Sequence, residues 1–350
     1  LVLTGLRGVG KTVLINELAT RAEARGWVTV QAETRREGAP AMMTALAAQL
    51  TAGIRRLHGP RLSDLARKAL ASITAFTVTL DSSGTVSATV RASTGSRAGA
   101  PHGPSDLEVD FTSVAVDVGR AAMEAGVGAV LLVDELHELD RAGMAALAAG
   151  AHVAGQRSVP FVLVGAGLPN LAGRLAEAKS YAERLFDYRP LGQLDPAVAA
   201  QALAGPAAEM GLRWSDEALD AVVAAAGGYP YFLQEFGSAT WNVAAGPVVG
   251  AADARNGISL GRATLDNGFF RSRWDRATAT ERLFLHAMSG DSGRDTKTSA
   301  VAARLGRTMS NLGPIRAGLI GKGLIYAPEY GFVAFTVPGM AGFIQREADR

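Results

Sequence analysis

Leu1-Val2-Leu3-Thr4-Gly5-Leu6-Arg7-Gly8-Val9-Gly10-Lys11-Thr12 is the stretch that decides the fold of this chain. A short apolar run of strand character enters a glycine-rich turn, and a helical pattern opens at Lys11. Residues 5–12 fit the spacing of two glycines five positions apart, followed by Lys and then Ser or Thr, between a strand and a helix. Glycines let the backbone curl so that successive N–H groups face an anion, and the start of the helix adds partial positive charge. Lys11 supplies a point charge for the β- and γ-phosphates of a nucleotide, and the Thr12 hydroxyl can ligate Mg2+. A chance glycine turn is the competing reading, and the placement between strand and helix argues against it. The expected nucleotide contacts are Gly5, Leu6, Arg7, Gly8, Val9, Gly10, Lys11, Thr12 and Val13, with ATP and Mg2+ as the ligands.

A second element follows more than a hundred residues on. Val130-Leu131-Leu132-Val133-Asp134-Glu135 is an apolar strand ending in two carboxylates. Alone, such a run is as readily a strand meeting solvent. With the phosphate loop it places Asp134 in the Mg2+ shell and Glu135 as the group that orients and deprotonates an attacking water. His137, Glu138 and Asp140 read as a solvated helix start.

Working outward, strand-length apolar runs at 1–4, 27–32, 129–133 and 161–164 alternate with helical patterns at 11–25 and 41–58. Continuous apolar strands of this kind belong to a parallel sheet with helices on both faces. Residues 72–112 break the rhythm: Phe76, Val78 and Leu80, then Val86, Ala88 and Val90, flank Asp81-Ser82-Ser83-Gly84 and predict a hairpin. Residues 93–105 are rich in Gly, Ser and Pro and predict a surface loop. Residues 72–112 are thus expected to be an insertion lying on the sheet domain. After Pro190 the pattern is helical at 196–208, 215–226 (Ser215 as N-cap) and 231–244. Residues 251–277 read as a linker. Residues 278–350 read as a winged helix, with helices at 281–288, 299–305 and 309–322 and wing strands at 324–327 and 332–336. Pro314 is expected to shorten the third of these helices. The domains are therefore 1–190, 191–250 and 278–350. A chain that opens at Leu1, inside a core strand and without Met, is expected to lack an N-terminal piece.

Composition narrows the chemistry. Among 350 residues there is no cysteine, which excludes a disulfide framework, a thiolate metal site and a cysteine nucleophile. Histidines 58, 102, 137, 152 and 286 have no metal-ligand spacing. No apolar run is long enough for a bilayer, and a cytoplasmic location is expected. The net charge of +2 is a cancellation: residues 1–190 carry +2, residues 191–261 carry −5 and residues 262–350 carry +5. The basic last segment predicts phosphate contacts to double-stranded DNA through Arg304, Arg307, Arg316 and Lys322.

With these residues together, the sequence resembles the AAA+/STAND-like P-loop ATPases, near the origin-initiator and archaeal-type ATPases and an actinobacterial AAA-family group. The stretches that carry the resemblance are 5–12, 131–139, 160–171, 180–191, 227–237 and 301–325, nearly the whole chain apart from 72–112. The resemblance implies a helical lid at 191–250, with Gly227-Gly228-Tyr229-Pro230 laying Pro230 toward the adenine. It implies that Arg184 is an arginine finger reaching a neighbouring subunit of a homo-oligomer, although a helix-end Arg capping carbonyls is an equal reading. It makes 162–168 a sensor strand, here ending in Gly165-Ala166-Gly167 where many relatives carry Asn or Thr, with Asn170 as a substitute. No sensor Arg stands near Pro230.

Those departures predict slow ATP hydrolysis and a nucleotide-dependent switch rather than a motor. A signalling or scaffold ATPase whose winged helix binds protein is the alternative. A small-molecule kinase sharing the phosphate loop alone is opposed by the acidic strand end, the lid and the winged helix.

Overall fold

In the computed structural model, which describes residues 1–34, 39–81, 104–291 and 295–348, the chain forms two compact units. The first comprises Leu1–Thr4 and Lys11–Pro190, the second Gly5–Gly10 and Leu191–Arg350.

In the first unit the elements run β1 (Val2–Thr4), α1 (Lys11–Ala24), β2 (Val28–Glu33), α2 (Ala39–His58), α3 (Asp64–Asp81), α4 (Pro104–Glu124) and β3 (Ala129–Asp134). There follow a single 3-10 turn (Leu136–Glu138), α5 (Arg141–Gln156), β4 (Phe161–Gly167), α6 (Leu171–Ala178), α7 (Ala182–Leu185) and β5 (Tyr188–Pro190). The five strands form one sheet in the order β2-β3-β4-β1-β5, all parallel. Parallel neighbours need crossover helices, and these bury both faces, which is why β3 is apolar and buried along its whole length. Ala129, Leu131 and Val133 join a core with Met43, Leu46, Phe76, Phe111 and Leu147, and Val130 and Leu132 are buried on the alternate face.

The expected hairpin insertion at 72–112 is corrected. Residues 72–81 continue α3 and 104–112 open α4; residues 82–103, including Val86, Ala88 and Val90, lie outside the described residues. Ala66, Ala69, Ile73 and Phe76 are all fully buried and recur at helical spacing, so the apparent alternation at Phe76, Val78 and Leu80 is the end of a helix. Phe76 packs on Phe111 with ring centroids 5.8 Å apart, inside the core rather than on its surface.

In the second unit the elements are α8 (Pro196–Glu209), β6 (Arg213–Trp214), α9 (Asp216–Ala226), α10 (Pro230–Val243), β7 (Val248–Val249) and α11 (Ala251–Thr264). A π-helical turn (Leu265–Phe270) leads into α12 (Arg271–Asp275), α13 (Ala279–Ser289), β8 (Thr296–Lys297), α14 (Thr298–Leu305), α15 (Met309–Gly321), β9 (Ile325–Tyr326), β10 (Phe332–Phe335) and α16 (Met340–Ala348). Asp195 and Ser215 cap α8 and α9 through side-chain oxygens, and Thr278 with Glu281 forms a capping box on α13.

The linker expected over 251–277 is mostly helix. Its glycines serve packing: a Cβ on Gly257 would come within 2.2 Å of Thr240 Oγ1 on α10. Helices α8 to α10 and the C-terminal elements also share one core, joining Leu203, Val222 and Phe236 with Phe284, Leu319 and Phe343. The C-terminal elements comprise α13, α14 and α15 with a three-stranded antiparallel sheet in the order β8-β10-β9. Pro314 does not shorten α15, which runs through it from Met309 to Gly321.

Candidate functional site

Within the first unit, α1 begins at Lys11, which is buried, and carries Thr12 on its first turn. Strand β3 ends at Asp134, two strands away from β1 in the sheet. The Thr12 hydroxyl donates to Asp134 Oδ2 at 2.5 Å, and the Glu135 N–H donates to Asp134 Oδ1 at 2.8 Å. A hydroxyl and a buried carboxylate in contact, beside a glycine loop, fit a Mg2+ completed by nucleotide oxygens and water. Among the described residues there is no group of three or more His, Cys, Asp or Glu that would hold a metal unaided.

Glu135 lies in the left-handed region at φ 50°, uncommon for a residue with a side chain. Thr34, buried at the end of β2, secures this turn. Its N–H and its hydroxyl each donate to the Asp134 carbonyl at 3.1 Å, and the hydroxyl also donates to the Glu135 carbonyl. The reading of His137 as solvated is corrected, since it is 5% exposed. Asp140 is exposed and starts α5 as its N-cap, accepting from the Gly143 N–H at 2.8 Å.

Residues 5–10 cluster with the second unit. Gly8 and Gly10 take φ of 85° and 91°, open to glycine and strained for other residues. Arg7 N–H donates to the Thr336 carbonyl at 3.1 Å, and Tyr231 N–H donates to the Gly8 carbonyl at 3.2 Å. Tyr229, the residue before α10, is buried, and its hydroxyl finds no hydrogen-bond partner. Burial pushes that phenol well above its ordinary range, with the nearby Arg273 charge opposing and Tyr231 adding to the rise. Pro230 opens α10 and is half-buried. Val9 is buried, Leu6 is half-buried, Val13 is 71% exposed, and Gly5 faces the Leu191 carbonyl.

Arg184 lies on α7 and is exposed; among the described residues its guanidinium makes no hydrogen bond or ion pair. It is therefore not engaged in capping carbonyls. Asn170 sits at the N-cap of α6 without a capping bond and makes no hydrogen bond to Asp134 or Glu135. Of the four basic residues expected to meet DNA, two are occupied within the fold. Arg304 donates to Asp291 at 3.0 Å and to the Ala287 carbonyl at 2.7 Å, and Lys322 pairs with Glu281. Arg307 is exposed and Arg316 half-buried. Residues that sequence reasoning missed are Thr34, Tyr229 and His137.

Comparison with known proteins gives the same picture. Residues 1–164 match the AAA ATPase domain family, and residues 267–344 match a domain of unknown function, DUF8462. No curated protein matches the sequence. Among solved structures, the Walker-type ATPase PABY2304 of Pyrococcus abyssi is 16% identical with a TM-score of 0.53, covering 98% of this chain and 90% of that one. The RuvB Holliday junction branch migration motor of Thermotoga maritima is 15% identical with a TM-score of 0.45, covering 95% and 83%. Cdc6p of Pyrobaculum aerophilum is 12% identical with a TM-score of 0.43, covering 99% and 86%. The last two overlaps are too loose to argue from. No helix among the described residues is long and apolar enough to cross a membrane. The parallel sheet with its glycine loop and acidic strand end has the fold of the P-loop ATPases, and residues 1–164 are similar to the AAA ATPase domain family.

Proposed function

We propose that the chain binds ATP with Mg2+, hydrolyses it slowly, and works as a nucleotide-dependent switch. The observation that carries this reading is the contact between Thr12 and Asp134 at 2.5 Å, which brings the two expected ion ligands together at the start of α1. Lys11 would hold the β- and γ-phosphates and Glu135 would accept the proton of the attacking water. Mg2+, when bound, supplies charge neutralisation to the phosphates. Gly5 to Gly10 would wrap the phosphates with their N–H groups, and Pro230 would lie toward the adenine.

The switch follows from what else holds the loop. Arg7 and Gly8 are bonded to Thr336 and Tyr231, so a change in the loop's backbone on nucleotide binding is felt at the wing and at α10. Lys11→Ala is expected to abolish ATP binding, and Glu135→Gln to bind ATP and retain it unhydrolysed. Parent-like turnover in both variants overturns the proposal.

The C-terminal elements, read as a winged helix, would contact duplex DNA through Arg307 and Arg316, since Arg304 and Lys322 are paired. A protein partner is the second reading. The exposed residues of α15 favour it: Met309, Ser310, Asn311, Gly313, Pro314 and Ala317 carry no charge. Duplex affinity that falls steeply with salt, and weakens in Arg307→Ala with Arg316→Ala, supports DNA; no binding at low salt with ATP present supports protein. Arg184, exposed and uncommitted, would reach the γ-phosphate of a neighbouring copy. Particle size with and without ATP tests this, and a monomer in both states removes the role.

A further inference from the structure

Strand β4 ends Gly165-Ala166-Gly167, with no polar side chain to offer the reacting centre, and the structure shows why. A Cβ on Gly165 would come within 2.6 Å of Leu136 Cδ2. One on Gly167 would lie 2.9 Å from Leu171 Cδ2, 3.1 Å from His137 Nδ1 and 3.3 Å from the His137 backbone nitrogen. The turn after Glu135 packs directly onto the end of β4, and the space a polar residue would need is filled by Leu136, Leu171 and the imidazole of His137.

That imidazole is not a passive filler. It is 5% exposed, and its Nδ1 accepts the N–H of Leu168, just past β4, at 3.3 Å. A ring whose Nδ1 is an acceptor carries its proton on Nε2 when neutral. Nε2 lies 3.3 Å from Glu135 Oε2 and 3.5 Å from Glu138 Oε1, close contacts without hydrogen-bond geometry. One fixed ring thus connects the backbone at the end of β4 to the carboxylate beside the ion site.

We infer that His137 is the positioning residue for Glu135, its Nε2 edge lying against the carboxylate while its Nδ1 ties that orientation to the backbone of Leu168. The inference rests on the reading of Glu135 as the group that accepts the water's proton. His137 touches neither water nor nucleotide in this scheme; it acts through Glu135. A buried ring fixed beside the carboxylate limits where that carboxylate can turn. In this chain the polar contact that the β4 side chains cannot make is supplied from the other strand end.

The test compares His137→Ala, His137→Gln and Gly167→Ala with Glu135→Gln in the full chain, measuring single-turnover ATP hydrolysis and, separately, equilibrium ATP affinity. His137→Ala is expected to slow hydrolysis about 10- to 100-fold, as loss of an orienting partner does. Its ATP affinity should stay within about threefold of the parent, since phosphate binding is left to Lys11 and the loop. His137→Gln, whose amide N–H reaches the place of Nε2, should recover part of the rate. Gly167→Ala, which crowds the ring and leaves its chemistry alone, should slow hydrolysis in the same sense. Parent-like hydrolysis in His137→Ala overturns the inference. So does a loss of rate matched by a loss of ATP affinity, or no recovery in His137→Gln, either of which marks a structural histidine. If Glu135→Gln itself hydrolyses ATP at the parent rate, the reading of Glu135 fails instead, and the two failures are told apart.

Discussion

A Cβ on Gly8 would lie 2.6 Å from the Tyr229 hydroxyl and 3.0 Å from Tyr231 Cβ. The glycine of the loop is therefore required twice, by its φ of 85° and by the phenol that covers it. Gly8→Ala is expected to lower ATP affinity and the melting temperature together. Tyr229→Phe removes the nearest atom and leaves the backbone strain of roughly 1 kcal/mol. The double variant should recover part of the lost stability, and a double-mutant cycle by thermal melting measures the recovery. Strict additivity would show that the phenol does not restrict the loop.

Thr34→Val keeps the volume and deletes the hydroxyl that bonds to the Asp134 and Glu135 carbonyls. Leaving those buried acceptors with one partner fewer should cost about 1 to 3 kcal/mol. Because the Glu135 turn is what the hydroxyl holds, hydrolysis should fall while ATP affinity is kept. Denaturant unfolding and single-turnover hydrolysis check the two halves.

Phe111 is fully buried between Phe76 and Phe161, at 5.8 and 6.3 Å. Phe111→Ala should destabilise the first unit by about 3 to 5 kcal/mol, measured by chemical denaturation. Excision of residues 72–112 should leave an insoluble or unfolded chain, where removal of a surface insertion would leave a folded one.

Much of the candidate site's local structure was readable in the linear order because its physics is local. Glycines at 5, 8 and 10 followed by Lys11 specify a curled loop on a helix start, and five apolar residues before Asp134 specify a buried strand. Phe76, Val78 and Leu80 were misread because three residues two apart fit a strand, and the helical spacing of Ala66, Ala69, Ile73 and Phe76 emerges over a longer window. Gly257 and Gly261 looked like linker glycines, since composition does not distinguish chain freedom from close helix packing. The setting of His137 was out of reach: it depends on Gly167 and Leu168, about thirty residues later and on the neighbouring strand.

Glu281 gives the second unit a pH dependence of known sign. Burial alone would raise its carboxyl. The hydrogen bonds from Lys322 and from the Thr278 N–H at 2.7 Å outweigh that and leave it below its ordinary value of 4.5. Its stabilisation is therefore complete above that value and is lost as pH falls through the lower value of the folded state. Glu281→Gln should be less stable than the parent by about 1.5 to 3 kcal/mol at pH 7. The gap in melting temperature should close as the medium is acidified through the lowered folded-state value. A gap independent of pH would assign the effect to packing.

The π-helical turn at Leu265–Phe270 has a practical consequence for dissecting the chain. With α11 before it and α12 after it, helix runs unbroken from Ala251 to Asp275, and the family boundary at residue 267 falls inside the turn. Phe269 and Phe270 pack there on Phe232, Tyr231 and Phe343. A fragment cut at 267 would begin in mid-helix with half of an aromatic cluster bare. Its behaviour would report the cut surface rather than the function of the C-terminal elements, which are better studied with α8 to α11 attached.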